Sequence, residues 1–77
     1  MITADELTVY LQAAMPDARV VVTDRTGTSD HFALRVVSSA FEGKNLLDRN
    51  RMVYQALAVP MGDGRIHALE IKTDTPS

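Results

Sequence analysis

The chain contains no cysteine, so no disulfide can stabilise the fold that its 77 residues adopt. A chain of this length buries only about 60–65% of the surface that its unfolded form exposes, which leaves a thin margin of stability. Hydrophobic residues make up 45% of the sequence and charged residues 23%, a composition typical of ordinary globular domains. The sequence therefore predicts a single domain, residues 1–77, held together by a small apolar core.

The charge balance favours some classes of partner over others. The formal net charge is −2 at pH 7, whereas a domain that binds nucleic acid usually has a basic surface. Residues 1–6 include acidic side chains and no basic ones, unlike a secretory signal peptide. No apolar run reaches the length of a membrane span. These features, with the absence of cysteine, predict a soluble, cytoplasmic protein with no membrane partner.

Two segments have the spacing of amphipathic helices. Thr3 and Glu6 are placed as a capping box, and the apolar residues behind them predict a helix over residues 4–14. A second helix is predicted from residue 46 or 47 to residue 58, ending before a turn that begins at Pro60. The apolar residues predicted to share the core-facing side of this helix are Leu46, Val53 and Leu57. Leu47 and Tyr54 flank that side.

Three segments have the composition of β-strands. Residues 19–24 and 31–37 flank a run of turn-forming residues, which predicts an antiparallel hairpin with His31 at the end of its loop. The alternation along residues 65–72 predicts a third strand that contains His67. The order helix, strand, strand, helix, strand predicts an α+β domain in which helices cover one face of a three-stranded sheet.

The two histidines, His31 and His67, are the residues best suited to bind a metal. At a strand, an imidazole can offer one fixed, neutral nitrogen when its other nitrogen is held by a hydrogen bond. A lone strand histidine is more often a packed structural residue, and a histidine beside a loop is often simply exposed. Two histidines cannot complete a four-ligand site by themselves. We therefore expect a metal site that depends on a partner, and no cofactor in the isolated protein.

A set of short motifs follows in one order along the chain. They are His31-Phe32, Val36-Val37-Ser38-Ser39, Phe41-Glu42-Gly43-Lys44, Leu47, Arg49, Arg51, Val53-Tyr54, Ala56-Leu57, Ile66-His67-Ala68-Leu69, Lys72 and Thr75-Pro76. As an ordered set they closely resemble the BolA family over nearly the whole chain. This resemblance implies an α-β-β-α-β core related to the class II KH fold, with a short extra helical turn near residues 44–47.

The resemblance also implies a non-enzymatic role in iron–sulfur cluster assembly or trafficking, or in iron regulation. Proteins similar to this one share a [2Fe–2S] cluster with a monothiol glutaredoxin, whose cysteine and bound glutathione supply thiolate ligands. By position, His67 matches the family's C-terminal histidine, and His31 matches a loop position that carries histidine or cysteine in relatives. We expect the partner to bind around His67 and the loop 24–31. The residues expected to help dock the partner or its glutathione are Lys44, Arg51 and Lys72.

A DNA-binding transcriptional regulator is the alternative that the resemblance leaves open. Its candidate contact residues are Lys44, Arg49 and Arg51. Arg49 and Arg51 lie about 200° apart around a helix, so they cannot line one stripe. No Gly-X-X-Gly loop of the KH type follows Gly43.

The sequence departs from the family pattern at Asn50, where the family commonly has histidine, which puts any metal-binding or pH-sensing role of that position in doubt.

No catalytic activity and no catalytic residue are predicted. The sequence has no nucleophile elbow, phosphate-binding loop or zinc-protease motif. A chain of this size also has little room for a deep substrate pocket. An exposed strand edge would allow a weak homodimer by strand addition, but nothing in the sequence selects that state over a monomer.

Overall fold

The computed structural model describes residues 2–24 and 31–76. Helices and strands follow one another in the order α1 (Ala4–Ala14), β1 (Arg19–Asp24), β2 (His31–Val37), a 3-10 turn (Ser39–Phe41), α2 (Leu46–Ala56), α3 (Ala58–Gly62) and β3 (Ala68–Asp74). The α+β class predicted from the sequence is confirmed. Within the described ranges, no helix has the length and apolar character that a membrane span requires.

Helix α1 begins at the predicted capping box. The hydroxyl of Thr3 accepts a hydrogen bond from the backbone N–H of Glu6 at 3.1 Å, and the Glu6 carboxylate accepts one from the N–H of Thr3 at 3.2 Å. Each bond satisfies an N–H group that has no partner inside the helix. Leu7 and Leu11 are the buried residues of α1. The predicted helix over residues 4–14 is therefore confirmed at both ends.

The sheet has the strand order β1-β2-β3, with β2 in the centre. β1 and β2 are antiparallel, in a register that pairs Arg19 with Val37 and Asp24 with Phe32. The predicted hairpin is confirmed, while its predicted loop over residues 25–30 lies outside the described residues. β3 runs parallel to β2. Parallel neighbours need a crossover connection, which α2 and α3 provide.

Alternation along the strands gives the sheet one buried face. Phe32, Leu34 and Val36 of β2 are at most 3% exposed and belong to the core. The helices complete this core from one side, through residues that include Leu7, Leu11, Val53 and Leu57. The opposite face of the sheet, which includes Val21 and Arg35, stays exposed. The domain therefore has two layers, with helices over one face of the sheet only.

Helix α2 has fewer core residues than the sequence predicts. Leu46 is 67% exposed, Leu47 is 59% exposed and Tyr54 is 43% exposed, so the prediction that they pack in or beside the core is wrong. Their exposure is explained by the tertiary structure around the start of α2. Leu46 lies in a cleft beside residues 71–74 of β3, which is an edge strand, and no second layer covers that edge. Helical spacing identifies a shared side of a helix but not how far the sheet extends beneath it.

Pro60 does not end the helical region, contrary to the sequence prediction. The helical path is interrupted at Leu57, and the chain then continues as α3, with Pro60 inside it. Proline is tolerated at this position because the N–H groups of the first helical turn have no intrahelical acceptor. The prediction treated Pro60 as a terminator because sequence spacing did not show that a new helix starts immediately before it.

Strand β3 starts later than the predicted strand over residues 65–72. The N–H groups of Arg65 and Ile66 both donate to the carbonyl of Pro60, at 3.0 and 3.2 Å, and not to a neighbouring strand. These residues therefore form a turn that leads into the sheet. His67 stands directly before β3 instead of inside it.

A carboxylate joins the start of the hairpin to its end. Asp17 accepts hydrogen bonds from the Ser38 hydroxyl at 2.6 Å, the Ser39 hydroxyl at 2.6 Å and the Ser39 N–H at 2.8 Å. The bond from Ser38, followed by those from Ser39, lowers the pKa of Asp17 to about 2.

Ser38 and Ser39 begin the 3-10 turn. The extra helical turn is therefore found earlier in the chain than the position near residues 44–47 that the resemblance implied.

Two leucines of the α2 region test where the core ends. We expect Leu57→Ala to lower the free energy of unfolding by about 2–5 kcal/mol, because this fully buried side chain would leave a cavity. Leu46→Ala removes the same atoms from an exposed site and should change that free energy by less than about 0.5 kcal/mol. Urea unfolding followed by circular dichroism measures both. Equal losses would contradict the placement of Leu46 outside the core.

The lowered pKa of Asp17 predicts a specific loss of stability in acid. The pKa of Asp17 is about 2 in the folded chain, compared with an ordinary value of 3.8. The ionised carboxylate therefore stabilises the fold at pH values above 3.8, and this contribution is lost as the pH falls towards 2. Asp17→Asn should remove this part of the pH dependence of unfolding. Ser39→Ala keeps the carboxylate but removes one donor, so an intermediate dependence is expected. An unchanged pH profile in Asp17→Asn would refute the assignment.

Candidate functional site

The two histidines lie together at one end of the sheet. His31 is the first residue of β2, and the parallel register pairs it with Ala68, the residue that follows His67. Because His67 immediately precedes the partner of His31, the register places the backbones of both histidines at the same end of the sheet. The sheet thus joins two potential ligands that are far apart in the sequence.

Both histidines are exposed to solvent. A shallow cleft of about 260 Å³ opens at this end of the sheet, and its lining residues are His31, Phe32, Ala68, Leu69 and Glu70. Exposed side chains beside an open cleft can be reached by groups that another molecule supplies. The geometry therefore suits a site completed by a partner.

The donor set is too small for a metal site formed by this chain alone. In the described part of the chain, no group of three or more histidine, cysteine, aspartate or glutamate side chains is placed to hold a metal ion. A [2Fe–2S] cluster normally takes four protein ligands, usually cysteine thiolates, and this sequence contains no cysteine. Two histidines leave at least half of those positions to another molecule. The residues present therefore fit a shared cluster site.

His67 has an exposed side chain on a firmly held backbone. The residue before it, Ile66, is only 3% exposed and belongs to the core. The residue after it, Ala68, is paired with His31 in the sheet. The backbone is therefore anchored on both sides of His67. Functional side chains on such rigid supports are held more accurately than those on unsupported loops.

The side chain of Arg65 connects this segment with helix α1. Its Nη2 donates a hydrogen bond to the hydroxyl of Tyr10 at 2.9 Å, and its Nε donates to the carboxylate of Asp63 at 2.9 Å. Its Nη1 lies 3.6 Å from the carboxylate of Glu6. The sequence analysis did not identify Arg65 or Tyr10, because no local pattern relates side chains that are 55 positions apart.

Lys44 and Lys72, two of the three basic residues expected to dock a partner, do not lie beside the histidines. Lys72 is on β3, about 17 Å beyond His67 at the usual rise of a strand. Leu46, at the start of α2, shares a cleft with Lys72, which places the preceding Lys44 at the same distant end of the sheet. Arg51 is exposed on α2. Docking of a partner by these residues stays a prediction. Lys44 and Lys72 were chosen partly for closeness to the motif that contains His67, and the structure does not place them near His67.

The residues considered for nucleic acid do not form one basic surface. The Nε of Arg49 donates a hydrogen bond to the backbone carbonyl of Lys44 at 2.9 Å, which ties this side chain to the loop before α2. Arg49 is half-buried, whereas Arg51 is exposed. This difference agrees with the angular separation of the two arginines that helix geometry predicts.

Asn50 has an unusual environment on α2. Its Oδ1 atom is buried and has no hydrogen-bond partner among the residues that the structure describes. Leaving a buried polar oxygen without a partner costs about 1–3 kcal/mol. The Oδ1 atom of Asn50 therefore lies on the interior side of α2, and Asn50 gives no exposed metal donor beside His31 and His67.

The strand register predicts which residues respond to a change at His31. We expect His31→Ala to shift the amide resonances of His67 and Ala68 in a nitrogen-15 correlation spectrum, and to leave that of Asp74 unchanged. Lys72→Ala is the control in the same sheet and should shift Asp74 more than His67. Unmoved resonances at both His67 and Ala68 in His31→Ala would contradict the register.

Comparisons with known proteins place this architecture in a family. The model of the BolA-like protein family matches residues 2–77. A protein of Acinetobacter guillouiae, described as an uncharacterized protein in the rpoN-murA intergenic region, is 39% identical over 72 residues, which are 94% of this chain and 83% of that protein. Human BolA-like protein 1 is 49% identical over 51 residues, which are 66% of this chain and 36% of the human protein.

Solved structures agree in fold over almost the entire chain. BolA1 from Arabidopsis thaliana has a TM-score of 0.84 and 32% identity, covering 99% of this chain and 95% of that structure. A BolA protein homologue from Coxiella burnetii has a TM-score of 0.82 and 34% identity, covering 99% and 94%. The BolA domain of SufE1 from Arabidopsis thaliana has a TM-score of 0.83 and 30% identity, covering 99% and 96%. With its mixed three-stranded sheet, its helical layer and these matches, the chain belongs to the BolA-like protein family.

Proposed function

We propose that this chain acts in iron–sulfur cluster assembly or trafficking, or in iron regulation, by sharing a [2Fe–2S] cluster with a monothiol glutaredoxin. The observation that carries the proposal is the position of two exposed histidines at one end of the sheet. Membership of the BolA-like family supports it, because the family resemblance implies this role. The proposed function is binding and presentation of ligands, with no catalytic step.

The proposed task of the chain is to supply imidazole nitrogen to one iron. His67 is the first ligand candidate because the core residue Ile66 and strand β3 hold its backbone. His31 is the second candidate, either as a ligand or as a gate beside His67. When bound, the cluster would provide electron-transfer chemistry, with a potential raised by imidazole in place of thiolate. A ligating imidazole must be deprotonated, so we expect assembly to weaken in acid.

The proposed partner supplies what this sequence lacks. The cysteine of a monothiol glutaredoxin and its bound glutathione would provide the thiolate ligands, since this chain has none. The exposed cations Lys44, Arg51 and Lys72 would act, if they dock the partner, by binding carboxylates on its outer surface. Lys44 and Lys72 lie away from the histidines, which makes them candidates for affinity and not for cluster ligation.

No observation favours the nucleic-acid alternative over this proposal. The net charge is −2, and the side chain of Arg49 is engaged with the carbonyl of Lys44. Binding to nucleic acid depends on neutralising phosphates with exposed cations and weakens steeply with salt. A salt-sensitive gel shift with duplex DNA, together with failure of the cluster experiment, would make DNA binding the better proposal.

Reconstitution tests the shared cluster directly. The purified protein is mixed anaerobically with a monothiol glutaredoxin, glutathione, iron and sulfide, and visible absorption and circular dichroism are recorded. We expect a heterodimer whose cluster spectrum differs from that of the glutaredoxin alone. His67→Ala should alter or abolish that spectrum, because it removes an iron ligand. Arg35→Ala is the control, because the Arg35 side chain is 61% exposed and lies outside the proposed docking set, and we expect it to preserve the spectrum.

Two outcomes would overturn the proposal. In the first, the wild-type mixture gives only the spectrum of the glutaredoxin. In the second, the protein acquires a cluster without any glutaredoxin, which would contradict a site completed by the partner. A spectrum unaffected by both His67→Ala and His31→Ala would remove the proposed ligands while leaving the partnership intact.

A further inference from the structure

One side chain spans the space between helix α1 and the turn that leads into His67. Arg65 donates to the hydroxyl of Tyr10 at 2.9 Å, and its guanidinium carbon lies 5.7 Å from the centre of the Tyr10 ring. The same guanidinium binds Asp63 at 2.9 Å and lies 3.6 Å from Glu6. Arg65 thus makes three polar contacts and one ring contact from a position two residues before His67.

Among the side-chain contacts of Arg65, the one with Tyr10 joins this turn to helix α1. Asp63 belongs to the same turn, so its bond to Arg65 is local. The side chain of Glu6 is 47% exposed and its ion pair is longer, and such surface pairs contribute little because solvent screens them. Tyr10 is half-buried and packs against the core, and only 26% of the Arg65 side chain is exposed. The Tyr10 hydroxyl is therefore an anchored acceptor.

Backbone hydrogen bonds and the buried side chain of Ile66 also hold the turn. The N–H groups of Arg65 and Ile66 both donate to the carbonyl of Pro60, the N–H of Arg65 donates to the Asp63 carboxylate as well, and the N–H of Gly64 donates to the carbonyl of Met61. Gly64 has a φ of 83°, in the left-handed region that glycine adopts without strain. The backbone there can therefore reach other conformations more readily than a residue with a side chain would allow. An additional constraint on the turn limits how far the backbone ahead of His67 can move.

We propose that Arg65 and Tyr10 are positioning residues for His67. Their hydrogen bond holds the turn against α1, so that His67 is presented to a partner on a backbone of one fixed geometry. Ligand affinity depends on such supporting contacts as well as on the ligands themselves. The inference rests on the proposed function in naming a ligand role for His67. It adds two residues that would act through the placement of His67.

Hydrogen exchange of the isolated protein tests the positioning. Tyr10→Phe removes the acceptor oxygen but keeps the ring and its packing. We expect exchange at the hydrogen-bonded amides of Gly64, Arg65 and Ile66 to accelerate about three- to tenfold, which corresponds to the loss of one ordinary hydrogen bond. Tyr54→Phe is the matched control, because Tyr54 is 43% exposed on α2 and has no hydrogen bond to this turn among the described residues.

A second pair of variants separates the hydrogen-bonding geometry of Arg65 from its charge. Arg65→Lys keeps the positive charge but loses the planar fork, so we expect the same local acceleration of exchange. Arg35→Lys is its control, since Arg35 is 61% exposed and its ion pair with Asp74 spans 3.8 Å. No acceleration at the turn in either Tyr10→Phe or Arg65→Lys would overturn the proposal. Acceleration spread evenly over the whole domain would overturn it too, because it would show a loss of global stability alone.

The lifetime of the cluster in the reconstituted complex is a measurement that a purely structural role of Tyr10 would not change. We expect the Tyr10→Phe heterodimer to lose its cluster to a chelator about three- to tenfold faster than wild type, with an altered cluster dichroism. The Tyr54→Phe heterodimer should match wild type. Equal cluster lifetimes in all three proteins would overturn the positioning role. If wild type forms no heterodimer cluster, the proposed function fails, and hydrogen exchange still decides whether the Arg65–Tyr10 contact holds the turn ahead of His67.

Discussion

The parallel pairing of β2 with β3 is the interaction on which the rest of the structure depends. It requires the crossover through α2 and α3, and this crossover supplies the helical layer over the buried face of the sheet. The same pairing aligns His31 with Ala68 and so places His67 beside His31. The core and the candidate site are therefore consequences of one strand register. A slip of one residue would turn every side chain of β3 to the other face of the sheet.

The candidate site combines exposed ligands with a fixed backbone. A chain without cysteine has no thiolate to offer to an iron–sulfur cluster. It can still offer imidazole nitrogen at the end of a sheet, where Ile66 and the strand ladder restrict the backbone. This arrangement divides the proposed chemistry between two molecules. In the proposed function, the partner would supply the sulfur ligands, and this chain would supply nitrogen in a position that its own core determines.

Local rules predicted local structure well. The spacing of Thr3 and Glu6 predicted the start of α1, and the structure has both hydrogen bonds of the capping box. The composition of residues 19–24 and 31–37 predicted a hairpin, and β1 pairs with β2 in antiparallel register. Predictions that needed the third dimension were less accurate. Leu46 is exposed because the sheet ends beneath α2, and Pro60 lies inside α3 because a new helix begins just before it.

The sequence by itself determined which donors the chain can offer, where its first helix and its hairpin lie, and which family it resembles, because caps, alternation and ligand chemistry are properties of neighbouring residues. Tertiary structure alone decided that His31 and His67 are neighbours, that Lys72 lies far from both, and that Arg65 reaches Tyr10. Each of these depends on packing between distant segments. No pattern within one segment records such packing, since the register between strands and the area of the sheet are settled only when the whole core forms.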